Sequence, residues 1–429
     1  MDPEVGFTSD VIRDPARFVG RTNQLTDCMK AVNAPLSLIA VYGKRGVGKS
    51  SLMRQVQQMA LGDYTLAKYA GLQGQIPQKP RKYLTTYYTC DSSINGVEGL
   101  LRRLCNDQDG EDGLLRLVPN DGKELVEFDR IKEVSAGADL KVVNWGAKGI
   151  ESSKYAKTVE GDIVQTFRNY LSAIVTHQVK GKMKRDGLLI LLDEFDVIEN
   201  KSGIGSLIKS LSSADVKFAI CGIARDLTDL VEDHASVERL LEEGAIHVKA
   251  MIPAETSQIF STAERLFKNE IVFDPDVVGK ISELSGGYPY LAQLLGKECV
   301  TVANRLSVKL VDPTVLTEVL DDVRNGTAFP TLESQYQRAI GESEDRKILL
   351  HFLAEQEDRA DISADELGRV LVKRLRQDAK DVGIEWVDQL LPRLLDKKFG
   401  PALFRLPEKQ GVYEFVNPVF RLYVRLRNF

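Results

Sequence analysis

The sequence predicts an α/β fold: a parallel sheet with helices on both faces, followed by a helical lid and a C-terminal winged helix. Three observations carry this. Apolar, β-branched runs at 36–42, 83–90, 188–192, 217–223 and 245–248 read as buried strands. Segments of helical period alternate with them, as in parallel strands joined by crossover helices. Beyond residue 253 the apolar spacing is helical, and the chain closes on a short hairpin, 402–406 with 412–416.

The elements follow in order. Residues 1–17 read as an irregular arm, and a helical pattern then carries Leu25, Cys28, Met29 and Val32. The first strand ends in a glycine loop, and a helix begins near Lys49 with Leu52, Val56 and Met59 on one face. A Gly/Pro/Lys-rich loop covers 71–82, and Gly96–Cys105 reads as a helix. Residues 106–157 read as an insertion, with a hairpin formed by Phe128–Val134 and Asp139–Trp145. Trp145, with Val142, Val143 and Ile150 near it, marks either a partner surface or packing on its own domain. A long helix over 158–182 leads into the strand at 188–192. These readings divide the chain into a core at 1–252, a lid at 253–330 and a winged helix at 331–429. Gly286-Gly287-Tyr288-Pro289 breaks the lid once. The last region combines helices at Arg346–Leu353, Asp365–Arg376 and Trp386–Asp396 with the hairpin and a closing segment, Val419–Leu426.

Composition narrows the function. The 429 residues suit two or three domains, and 43% hydrophobic with 28% charged residues is ordinary globular usage. A net charge of −5 excludes a global basic field for nucleic acid and leaves only local patches. Cys28, Cys90, Cys105, Cys221 and Cys299 are scattered without a CxxC pair, so free thiols in a reducing cytoplasm are expected. Met1–Asp10 lacks the basic and apolar regions of a signal peptide, and Leu188–Leu192 is too short to span a bilayer. No membrane partner is expected.

Gly43-Lys44-Arg45-Gly46-Val47-Gly48-Lys49-Ser50 matches the P-loop pattern G-x-x-x-x-G-K-[ST] in its required setting, after a buried strand and before a helix. The glycines let backbone N–H groups turn toward phosphates, and the helix N-terminus adds its positive dipole end. Lys49 is expected to reach the β/γ-phosphates and Ser50 to hold Mg²⁺, with Ser51 completing the loop. Leu188-Leu189-Ile190-Leu191-Leu192-Asp193-Glu194 is the second half of such a site. Asp193 then acts on Mg²⁺, and Glu194 polarises the attacking water. Arg225, just past the fourth strand, is either a γ-phosphate contact or a solvated loop arginine. Arg239 is either an arginine finger acting on a neighbouring subunit or a partner of Glu242 and Glu243.

Together these motifs resemble the AAA+ and STAND branches of P-loop ATPases, near prokaryotic ATPases related to origin-recognition initiators and NB-ARC switch proteins. The resemblance runs over about residues 15–429. It implies that Phe18-Val19-Gly20-Arg21 lies against the adenine, that Arg225 is a sensor and that 234–239 is the S-x-x-R element. It also implies that Gly287-Tyr288-Pro289 is the lid's G-x-P element, with Pro289 near the base. Val416-Asn417-Pro418 stands where NB-ARC proteins carry Met-His-Asp, and the Gly287 element lacks the arginine of typical AAA+ lids.

The expectation is an ATPase that converts ATP and water to ADP and phosphate as a conformational switch. It would act through a homo-oligomer or a partner effector protein, in defence or signalling. The alternative is an initiator-like ATPase on duplex DNA. Arg393, Lys397 and Lys398 on the expected recognition helix, with Arg369, Lys373, Arg374, Arg376, Arg421, Arg425 and Arg427, would supply phosphate contacts. Glu385, Asp388 and Asp396 on the same helix favour protein packing instead.

Overall fold

The computed structural model describes residues 1–106, 114, 117, 163–231, 234–356, 359–361, 384–406 and 411–427. The expected hairpin at 128–145 with Trp145, and the expected helix at 365–376 with its four cations, lie outside these residues. The chain forms two compact units. One comprises Val11–Gly43 with Lys49–Lys249; the other comprises Met1–Asp10, Lys44–Gly48 and Ala250–Phe429.

The first unit is built on a five-stranded sheet. In chain order its elements are α1 (Thr22–Asn33), β1 (Leu38–Gly43), α2 (Lys49–Leu61), α3 (Thr65–Tyr69), β2 (Tyr83–Thr89), α4 (Gly96–Asn106) and α5 (Ile163–Ala173). Then come β3 (Gly187–Asp193), α6 (Ile204–Leu211), β4 (Val216–Ile223), α7 (Leu227–Leu230), α8 (His234–Leu241) and β5 (Ala245–His247). The strands run parallel in the order β2-β3-β4-β1-β5. Every residue of β3 is buried, because strands flank it on both sides and helices cover both faces. Leu188, Ile190 and Leu192 belong to one core with Phe167, Tyr170, Ile174 and Ile208. The buried Leu52, Val56 and Met59 line the inner stripe of α2, which packs on β1, β2, β3 and β4. Parallel pairing in register brings the C-terminal ends of β1, β3 and β4 to one edge, with Gly43 beside Ile223 and Leu192 beside Ile220.

Two features differ from expectation here. The long helix before β3 is α-helical only to Ala173; Ile174–Lys182 widens into π-helical turns. Lys217, the second residue of β4, is fully buried. Its ammonium donates to the carbonyls of Ala31, Val32 and Ala34, at 2.8, 3.1 and 2.6 Å, and so caps the C-terminal end of α1.

The second unit is mainly helical: α9 (Pro253–Leu266), α10 (Pro275–Leu284), α11 (Pro289–Leu306), α12 (Pro313–Arg324), α13 (Pro330–Ile340), α14 (Glu344–Glu355), α15 (Ile384–Leu395) and α16 (Pro418–Leu426). Proline opens α9 to α13, where a missing N–H costs no helical hydrogen bond. The expected hairpin is present as Leu403–Arg405 with Val412–Phe415, and Arg359–Asp361 adds an unforeseen third antiparallel strand. Residues 1–10, expected to be irregular, supply core instead. Phe7 is fully buried, with ring centroids 5.6, 6.1 and 5.6 Å from Phe260, Phe267 and Phe273.

Candidate active site

The glycine loop after β1 has φ of 152° at Gly43, 82° at Gly46 and 92° at Gly48. L side chains rarely adopt these angles, so the loop needs glycine to keep its curve. α2 starts directly at Lys49, and its N-terminal N–H groups have no helical acceptors. Lys49 and Val47 are buried, and Arg45 is exposed.

Opposite this helix start lies the end of β3. Ser50 Oγ donates to Asp193 Oδ1 at 3.1 Å. Asp193 is only 5% exposed, so its carboxylate depends on donors around it. The Tyr87 hydroxyl donates to Oδ2 at 2.5 Å and the Glu194 N–H donates to Oδ1 at 2.9 Å, and the buried Cys221 thiol lies within reach of the carboxylate's charge. Burial and the Asp193 charge push the Tyr87 and Cys221 pKa values upward, so both remain protonated. Glu194 is exposed and has a left-handed backbone, φ 52° and ψ 37°. Asp196 accepts from the Ile223 N–H at 2.7 Å and ties the turn after β3 to the end of β4.

The Ser50 hydroxyl and the Asp193 carboxylate fit Mg²⁺, which takes oxygen ligands and is normally held by one or two protein groups plus phosphates and water. Among the described residues no cluster of three or more His, Cys, Asp or Glu forms a self-sufficient metal cage. Two protein oxygens suit a metal that shares its coordination with phosphate and water.

The other expected site residues are distributed as follows. Arg225 lies two residues past β4, and its Nε pairs with Asp229 at 3.0 Å. Arg239 is exposed on α8 and makes no ion pair among the described residues, neither with Glu242 nor with Glu243. Phe18, Val19 and Gly20 are half-buried. Arg21 is buried at φ 63° and donates to the Lys249 carbonyl at 2.5 Å, so it clamps the segment after β5. Ser51 Oγ accepts from the Ile12 N–H at 3.0 Å and anchors the N-terminal segment on α2.

In the second unit, the loop tip 44–48 packs with residues of the C-terminal region. Lys44 Nζ is 3.1 Å from the Glu414 carboxylate, and the Tyr290 N–H points to the Gly46 carbonyl at 3.5 Å. A Cβ at Gly46 would come within 2.5 Å of Val419 Cγ2, and one at Gly48 would lie 3.7 Å from Pro289. Gly287 is needed for close approach: a Cβ there would meet the Met251 carbonyl oxygen at 2.2 Å.

Tyr87, Cys221 and Asp196 were not found from the sequence. Tyr87 sits in a strand of ordinary aromatic pattern, and its contact with Asp193 runs diagonally across two strands.

Residues 17–230 match the model of the AAA ATPase domain family. No curated protein matches the chain. Among solved structures, a Walker-type ATPase of Pyrococcus abyssi aligns at 14% identity and TM-score 0.45, over 97% of this chain and 96% of that one. The Aeropyrum pernix ORC1 protein, solved in complex with DNA, aligns at 13% and TM-score 0.42, over 98% and 94%. The Thermotoga maritima RuvB Holliday junction branch migration motor aligns at 13% and TM-score 0.41, over 93% and 92%. The family match, the parallel sheet and the Ser50–Asp193 pair agree, and the chain belongs to the AAA+ P-loop ATPases, with its AAA ATPase domain at residues 17–230.

Proposed function

We propose that this protein binds ATP with Mg²⁺, hydrolyses it slowly, and uses the cycle as a conformational switch that controls its own assembly or a partner protein. The observation that carries the reading is the Ser50–Asp193 pair at the start of α2, with Glu194 next in the chain and exposed. Lys49 and the N–H groups of the loop bind the phosphates. Bound Mg²⁺ would neutralise phosphate charge and polarise the transferring group. Ser50 and Asp193 would hold that ion. Glu194 accepts a proton from the attacking water, a role its exposed carboxylate is free of burial cost to play.

Residues 253–330 act as the lid in this reading, and 331–429 follow as a winged helix. Closure driven by ATP would create or expose an assembly surface, and hydrolysis would reset it. The partner would be a second copy or an effector protein of a defence or signalling system, with the cytoplasm as the site of action. Paired fluorescent labels on Lys68 and Glu318, each replaced by cysteine, test this. Distances that differ between the ATP and ADP states support the switch; one distance in the ATP, ADP and nucleotide-free states contradicts it.

A second reading, action on duplex DNA, draws on the exposed Arg393, Lys397, Lys398 and Arg425. Two of the cations expected to serve it are engaged elsewhere. Arg427 pairs with Glu333 at 3.3 Å, and Arg421 donates to the carbonyls of Ala354 and Gln356.

A further inference from the structure

Asp193 is held on one side by a device that phosphate binding does not require. Tyr87 is 2% exposed in β2, and its hydroxyl reaches Asp193 Oδ2 at 2.5 Å. The guanidinium of Arg54 lies 3.4 Å from the centre of the Tyr87 ring. Arg54 is one turn beyond Ser50 on α2, and Ser50 donates to Asp193 Oδ1. A circuit therefore closes: Ser50 to Asp193 by a hydrogen bond, Asp193 to Tyr87 by a second, Tyr87 to Arg54 by stacking, and Arg54 back to Ser50 through one helical turn.

We propose that Tyr87 is a positioning residue for Asp193, locked in place by Arg54, and that it sets the protein's affinity for the divalent cation. The chemistry is direct. A carboxylate free to rotate about Cβ–Cγ spreads its two oxygens over several directions. A donor on Oδ2 removes that freedom and holds Oδ1 on the Ser50 side, where the ion would replace the hydrogen bond between the two oxygens. A charge-assisted hydrogen bond in a buried setting is strong enough to select one orientation. The bond is made before any ligand arrives, so the circuit acts as pre-organisation. This inference rests on the reading of Ser50 and Asp193 as the metal-facing pair.

The test is a Mg²⁺ titration of fluorescent ADP-analogue binding to the full chain, with binding in EDTA measured alongside. Tyr87→Phe is expected to bind the analogue in EDTA like the parent and to raise the Mg²⁺ midpoint roughly tenfold. Arg54→Met keeps the phenol and is expected to shift the midpoint the same way by a smaller factor. Asp193→Asn is expected to lose the Mg²⁺ response. A parent-like midpoint in Tyr87→Phe, with the response lost in Asp193→Asn, overturns the role of Tyr87. A parent-like response in Asp193→Asn instead overturns the metal-pair reading. If Tyr87→Phe melts well below the parent in EDTA, Arg54→Met decides, and a parent-like midpoint there overturns the proposal.

Discussion

Lys217 shows how much one residue can hold that a sequence pattern hides. It lies at 0% exposure in a strand otherwise built from Val, Phe, Ala, Ile, Cys and Gly, and burial followed by the Arg81 charge pushes its pKa down to about 7. Three carbonyl oxygens at the end of α1 answer its three donors and favour the ammonium form. Lys217→Met should leave those acceptors without a partner in a dry environment and cost about 3 kcal/mol. The check is the denaturant midpoint of unfolding, and an unchanged midpoint would contradict the capping role. At the same scale, the glycine turn between β1 and α2 and the placement of Asp193 at the end of β3 were legible, because each belongs to a short local pattern. Tyr87 and Cys221 were not, because they reach Asp193 only after strands distant in sequence lie side by side. Arg225 was legible as a charge near the sheet edge, but its tie to Asp229 depends on the turn into α7.

Among elements, the strands read most clearly, since a strand buried on both faces is mostly apolar along its length. The helix at 204–211 escaped notice. It is only eight residues long and follows the Ser202-Gly203 turn, where Gly203 adopts φ 79°. Phe7 likewise gave no local sign of burial, because the aromatic residues that receive it lie more than two hundred positions away. In the C-terminal helices, His351 and Tyr336 make a buried contact, with Nε2 2.8 Å from the hydroxyl. Burial, with a smaller push from Lys347, lowers the His351 pKa from 6.5 to about 4. Between those values the unfolded chain takes up a proton that the folded chain refuses, so stability falls as pH drops from 6.5 to 4. The full loss is about 3 kcal/mol. Denaturant unfolding at pH 7 and pH 4.5 should show a smaller pH dependence in His351→Gln than in the parent. Equal dependence in both would contradict it.

At the scale of the whole molecule, the chain carries a nucleotide-binding unit and a mainly helical unit that also takes in the loop tip 44–48. The change from alternating strands and helices to a mainly helical region, and the closing hairpin, were legible because the periodicity changes at each junction. What the units do to one another is the subject of the proposed switch. Arg239 is where that proposal meets oligomerisation: it is exposed on α8 and unpaired among the described residues, so a neighbouring subunit's phosphate is its proposed partner. Arg239→Ala should lower turnover by at least a hundredfold at concentrations where the protein self-associates, and little when it is dilute. Turnover measured against protein concentration is the check, and a defect equal at every concentration would contradict action across subunits.

Hydrolysis through Glu194 is tested by single-turnover ATP hydrolysis in Glu194→Gln. Binding of ATP and Mg²⁺ is expected to match the parent, with chemistry slowed at least a hundredfold and ATP left intact on the protein. A variant that hydrolyses ATP at the parent rate would contradict it.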